Sequence, residues 1–228
     1  MLHVLYRLCD GDRKRGERPL GFSKRKCLNS FLDSCGSGIF ANIEYIIDGE
    51  SPDWLMIEPL RTSKAGSAQS FWFAYNLAIT YPKEDWVYFA EDDYMYAPEA
   101  ITKLWHCIQT IPTDFISLYD HPDRYKSLPE HNLTDGKNDI YWDGMHHWRT
   151  IPSNTMTFAA RVSSLIAGKA LFDEWTNRDG FTVSWELFPR LLGLKGNSSH
   201  KMKMIGAIPS LATHCEIDNL APGWKEQE

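Results

Sequence analysis

Residues 86–95 read WVYFAEDDYM. The first five, Trp86 to Ala90, form an apolar run that reads as a buried strand. Three carboxylates follow at once: Glu91, Asp92 and Asp93. Like charges this close repel and raise one another's pKa unless something positive sits among them. Two solutions are open at this point: a divalent metal among the acids, or a turn open to water.

Outward from that strand the chain alternates. Upstream, HVLYRL (3–8) is a short apolar run ending in Cys9-Asp10-Gly11, a strand and then a loop. FSKRKCLNSFLDSC (22–35) places Cys27, Leu28, Phe31 and Leu32 on one face, which predicts an amphipathic helix with Ser23 as N-cap. NIEYIIDG (42–49) is a second strand closed by Asp48-Gly49, and AGSAQSFWFAYNLAITY (65–81) a second helix. Downstream, PEAITKLWHCIQTI (98–111) predicts a helix with Pro98 in its first turn, and DFISLYD (114–120) a fourth strand. Strand and helix in turn predict a mostly parallel sheet flanked by helices. Ligands in such sheets sit beyond the carboxyl ends of the strands, where Asp10, Asp48 and the acidic triplet all fall.

The second half is less regular. Residues 121–153 are rich in Pro, His, Asp, Trp and Tyr and read as a long loop of the functional kind. NTMTFAARV (154–162) reads as a strand, 163–176 and 183–194 as helices, and 204–215 as a last strand before a polar tail.

Composition narrows the classes. The chain has 228 residues, 43% of them hydrophobic, and a net charge of -6, which suits one globular domain and disfavours general nucleic-acid binding. No apolar run approaches the roughly 18 residues of a membrane span. The N-terminal charges follow the short apolar run, the wrong order for a secretory signal. The five cysteines are odd in number, widely spaced and without a CxxC pair, which argues against a disulfide framework or a structural zinc site. A cytoplasmic protein, working at most at a membrane surface, is the expectation.

The order of elements and the strand-terminal acids Glu91-Asp92-Asp93 resemble the GT-A glycosyltransferases, whose hallmark is a DxD-like motif. The resemblance runs from Val4 to about Trp224. It implies one α/β domain over 1–228, with a Rossmann-like, mostly parallel sheet in a donor half (about 1–120) and a smaller antiparallel region in an acceptor half (about 121–220). It implies transfer of a sugar from a nucleoside-diphosphate donor, a UDP-sugar favoured, to a hydroxyl on a glycan or lipid-linked acceptor. Mn²⁺ or Mg²⁺ would be the cofactor.

Roles carry over by position. Asp93 would bind the metal that bridges the donor phosphates, and Glu91 or Asp92 would face the ribose or a metal-bound water. Arg7, Asp10 and Asp48 match the places that grip the base. Gly66 and Ser67 match the loop that passes close to the nucleotide, where small residues permit backbone approach. His214 matches a late histidine that often joins the metal. An inverting transfer needs a carboxylate base. Glu186 stands at its expected helix start, with Asp179 and Asp120 in reserve. The family's usual Glu-Asp is Trp185-Glu186 here.

Plainer readings stand beside these. Asp48-Gly49 is also a turn, Gly66-Ser67 a helix start, His214 a structural histidine, and Glu186 a first-turn helix acid. In 119–125 and 143–153, Arg124 or Arg149 would offset phosphate charge, and Trp142 or Trp148 would stack on a sugar, making this region the acceptor wall. The basic run DRKRGER (12–18) would help hold diphosphate, meet a membrane, or lie in solvent. The rival functions are a sugar-phosphate nucleotidyltransferase and a non-catalytic nucleotide- or glycan-binding module.

Overall fold

In the computed structural model the elements run, in chain order, β1 (Leu2–Cys9), α1 (Lys24–Ser34), β2 (Ala41–Asp48), β3 (Leu60–Thr62), α2 (Ser67–Ala78), β4 (Trp86–Glu91), β5 (Tyr94–Tyr96) and α3 (Ala100–Thr110). There follow β6 (Phe115–Ser117), β7 (Ile140–Trp142), β8 (His147–Thr150), β9 (Phe158–Arg161), α4 (Val162–Ala167), α5 (Lys169–Thr176), α6 (Ser184–Leu191), β10 (Met204–Ile208) and β11 (Ala212–His214). The structure describes residues 1–11, 16–36, 41–56, 58–62, 66–126, 138–176, 184–196 and 200–224.

Nine of these strands form one sheet in the order β3-β2-β1-β4-β9-β6-β10-β8-β7. β1 is parallel to β2 and β4, β2 to β3, and β6 to β10. β9 runs antiparallel between β4 and β6, and β8 antiparallel between β10 and β7. Only β8 and β9 therefore oppose the other strands of this sheet, which gives the expected mostly parallel α/β architecture. β5 and β11 form a separate two-stranded antiparallel sheet.

Alternation along the central strands divides the core into two layers. Val4, Tyr6, Leu8, Tyr88 and Ala90 pack with Leu28 and Phe31 of α1 and with Leu104 and Ile108 of α3. Leu5, Ile46, Val87 and Phe89 pack with Phe71 and Tyr75 of α2, Phe172 of α5 and Phe188 of α6. A strand buried on both faces has to be apolar throughout, which is why WVYFA shows no polar alternation. Ser23 caps α1 as expected, its side chain accepting the Lys26 N–H at 3.2 Å.

Several boundaries differ from the sequence expectation. Pro98 lies outside α3, which begins at Ala100 after Glu99 adopts a left-handed φ of 61°. The described part of 121–153 is not all loop: a 3-10 turn covers Pro122–Tyr125, and β7 and β8 form the edge of the sheet. The strand expected over 154–162 is confined to β9. The helix expected over 163–176 is two, parted at Gly168, where an added Cβ would stand 2.7 Å from Leu191 of α6. The last strand is also two, β10 in the main sheet and β11 in the small one. This second strand carries His214 to the acidic turn.

Candidate functional site

The two-residue period of β4 decides where each carboxylate goes. Glu91 continues the Val87–Phe89 face toward α2, and Asp92 the Tyr88–Ala90 face toward α1. Their partners follow from this. Arg7 of β1 is in register with Glu91 and lies 2.5 Å from it. Arg7 also donates to the Ser67 carbonyl at 3.1 Å, and its guanidinium sits 5.4 Å from the Phe71 ring centre. Thr157 donates to the other Glu91 oxygen at 3.0 Å. On the opposite face Lys24, at the start of α1, is 2.9 Å from Asp92, and the Cys9 N–H donates to Asp92 at 2.9 Å.

Asp93 lies in the turn between β4 and β5. Pairing of β5 with β11 sets His214 opposite Tyr94, which leaves His214 Nε2 3.1 Å from Asp93 Oδ2. Arg18 is 3.3 Å from the same oxygen, stacks 4.6 Å over Phe22, and donates to the Cys215 carbonyl at 2.8 Å. Glu216 stands 3.5 Å from His214 Nδ1 and 4.0 Å from Arg18. Three adjacent acids therefore end a core strand because each has its own side-chain cation: Arg7, Lys24, and Arg18 with His214.

The two aspartates titrate apart. Burial, with Asp93 adding to it, pushes Asp92 up to about 6 against the pull of Lys24. Burial acts upward on Asp93 too, but His214 and Arg18 outweigh it and hold that carboxyl at about 2. Burial lowers His214, and the Asp93 charge more than reverses this, so the imidazole is raised.

The fit to a metal is limited to two side chains. Ligands at right angles in an octahedral shell with bonds of about 2.1 Å stand about 3.0 Å apart. Asp93 Oδ2 and His214 Nε2 are 3.1 Å apart, which is the length of their own hydrogen bond as well as the spacing of two adjacent ligand positions, so the distance does not single out a metal. Arg18 competes for the same oxygen. Among the described residues, no group of three or more His, Cys, Asp or Glu side chains is disposed to hold an ion.

The base-side residues gather next to this turn. Asp48 accepts the Gly66 N–H at 2.8 Å and the Thr62 hydroxyl at 2.8 Å. Asp48 thereby ties the end of β2 to the start of α2. Gly66 has φ 86°, a conformation other residues rarely adopt, and caps α2 with no side-chain hydrogen bond. Asp10 folds over the turn after β2: its N–H donates to the Asp48 carbonyl at 3.3 Å, and an added Cβ on Gly49 would meet its carboxyl at 2.4 Å.

The acceptor-side candidates divide. Trp148 is a correction: it is 0% exposed, donates to Asp143 at 2.8 Å, and packs in the core, so no sugar can stack on it. Trp142 is the exposed member of the pair, at 59%. Arg149 is 2.6 Å and Arg124 3.6 Å from Asp120, and Tyr125 donates to the same carboxylate. Asp120 is therefore bridged by both arginines, and the trio keeps one net positive charge. Glu186 lies in the first turn of α6, within the field of Arg190, which pairs with Glu174 at 2.7 Å. Asp179 lies outside the described residues, as do Arg13, Lys14 and Arg15 of the basic run. Lys24, Thr157, Glu216 and the role of Arg18 escaped sequence reasoning. Only the clustering of basic residues in 12–18 pointed toward Arg18.

No protein-family model matches the chain, and no curated protein matches it in sequence. Among solved structures, A197 from STIV aligns with a TM-score of 0.45 and 14% identity over 98% of this chain and 92% of that one. Mouse xyloside xylosyltransferase 1, in its apo form, aligns with a TM-score of 0.41 and 13% identity over 84% of this chain and 74% of that one. Likenesses this distant carry no argument about activity.

Proposed function

We propose that this chain transfers a sugar from a nucleoside-diphosphate donor to an acceptor hydroxyl. The supporting observation is convergence. Arg7, Asp48, Gly66, Ser67, Glu91, Asp92, Asp93 and His214 come from five separate stretches, and one bonded cluster at the carboxyl ends of β1, β2 and β4 holds them together.

In this reading Asp93 and His214, its imidazole then neutral and released from the ion pair, would hold Mn²⁺ or Mg²⁺, which would supply charge neutralisation for the leaving diphosphate. Arg18, beside them, adds a second positive centre on the same side. The start of α2, closed by Gly66 without a side-chain cap, suits an anion. Asp48 and Arg7 fix this helix start against β1 and β2 and so place it relative to the acidic turn. Glu186 takes the acceptor proton if the transfer inverts. Asp120 is the weaker candidate because two arginines already hold it. The specific form is a UDP-sugar donor with a glycan or lipid-linked acceptor.

Release of nucleoside diphosphate from a panel of nucleotide sugars tests the proposal. Turnover that requires a divalent cation and is lost in Asp93→Asn supports it. Pyrophosphate release from a nucleoside triphosphate would instead favour a nucleotidyltransferase. Binding without turnover would favour a non-catalytic module, a reading to which the ready-made cation partners of the three acids also lend weight.

A further inference from the structure

We propose that Cys27 and Cys215 are a modification site: a reversible disulfide pair that fastens α1 to the segment carrying His214 and Glu216. The two residues are 188 positions apart in sequence, yet their sulfurs lie 3.8 Å from each other. Both are buried, at 0% and 4% exposure. Among the described residues no other two thiols touch. Cys9 is engaged by Lys24, Cys35 donates to the Phe31 carbonyl, and Cys107 sits on the buried face of α3.

The pair is joined to the acidic turn through the backbone of Cys215. The Cys215 N–H donates to the Asp93 carbonyl at 2.8 Å, and its carbonyl accepts from Arg18 at 2.8 Å. A disulfide requires the sulfurs at about 2.0 Å, so closure draws them together by a little under 2 Å. This movement pulls on the residue that positions both Asp93 and Arg18, with His214 next to it.

The oxidant is a low-molecular-weight disulfide. The thiolate of Cys215, the less enclosed of the two, attacks one sulfur of the reagent and releases one small thiol, leaving a mixed disulfide. Cys27 then attacks the Cys215 sulfur and releases the second small thiol. The protein loses two electrons and two protons, and the reagent takes both to become two thiols.

The inference does not rest on the transferase reading, and its test reads no turnover. The full chain is refolded from denaturant in oxidised and reduced glutathione at stepped ratios, quenched by alkylation, and mapped by mass spectrometry. The expected product is one crosslink joining the Cys27 and Cys215 peptides, two hydrogens lighter than the reduced pair, with Cys9, Cys35 and Cys107 alkylated. The oxidised form melts higher by roughly 5–15 °C, and dithiothreitol reverses both changes. Cys27→Ser abolishes both the crosslink and the oxidant-dependent shift. Glutathione adducts without a crosslink, a crosslink to another cysteine, or two alkylated thiols at the most oxidising ratio would each overturn the proposal.

Discussion

Replacing Arg7 by methionine tests the side-chain neutralisation of the acidic turn. Methionine keeps most of the aliphatic bulk over Phe71 and removes the guanidinium. Arg7 is only 5% exposed, and its loss deprives Glu91 of the 2.5 Å ion pair and Ser67 of a donor. Removing one partner of a buried pair costs about 3–5 kcal/mol. Glu91 keeps the Thr157 hydrogen bond and some contact with water, which places the expected loss near the lower end, about 3 kcal/mol. For a chain of this size 1 kcal/mol moves the melting point by about 2–4 °C, so Tm should fall by roughly 6–12 °C. Urea unfolding followed by circular dichroism measures the loss. The double variant Arg7→Met/Glu91→Gln removes the stranded charge and should recover at least about half of it. A single-variant loss below about 1 kcal/mol, or a double variant as unstable as the two singles added together, would refute the pairing.

Other expectations concern packing and pH. Trp148→Phe should cost about 1–3 kcal/mol in denaturant unfolding, because Asp143 loses its indole donor, and should leave nucleotide affinity unchanged. Gly49→Ala should cost about 1–3 kcal/mol, since φ is 115° and the new Cβ would press on Asp10, and Asp10→Ala should relieve part of this. The two aspartates should give opposite pH slopes. Asp93 is held at about 2 against about 3.9 unfolded, so its contribution is complete above about pH 4 and is lost as pH falls toward 2. Asp92, raised to about 6, favours folding when protonated, and this is lost as pH rises from about 4 to 6. Asp92→Asn should flatten stability between pH 4 and 6, while Asp93→Asn should flatten it below pH 4, as chemical denaturation at stepped pH will show.

The fold was legible where elements are long. β1, α1, β2, α2, β4 and α3 each carry enough residues to display a period or an unbroken apolar run. β3, β5 and β7 have three residues apiece, too few for alternation to register, so the hairpin at the sheet edge reads as loop, whereas the equally short β6 is legible because its apolar run continues to Tyr119. The carboxylates stand out in the sequence because they close an apolar strand, and in the structure Asp48 is hydrogen-bonded to Gly66 and His214 to Asp93. Their cations were not legible, because no local spacing encodes them: Arg7 meets Glu91 across 84 residues, and Arg18 meets Asp93 across 75. Trp148 shows the same limit from the other side. Its dense polar neighbourhood read as a binding wall, while the β8 pleat turns its ring inward and His147 outward.

The proposed donor site would bring a nucleotide and a divalent ion to Asp93 and His214. The most direct measurement is the melting point against nucleoside diphosphates and nucleotide sugars, with and without Mn²⁺, for the wild type and Asp93→Ala. A ligand that binds the folded state alone raises the midpoint according to its affinity. The expected result is a rise that needs nucleotide and Mn²⁺ together and disappears in Asp93→Ala. No rise with any pair at millimolar ligand, or the same rise in the variant, would contradict it.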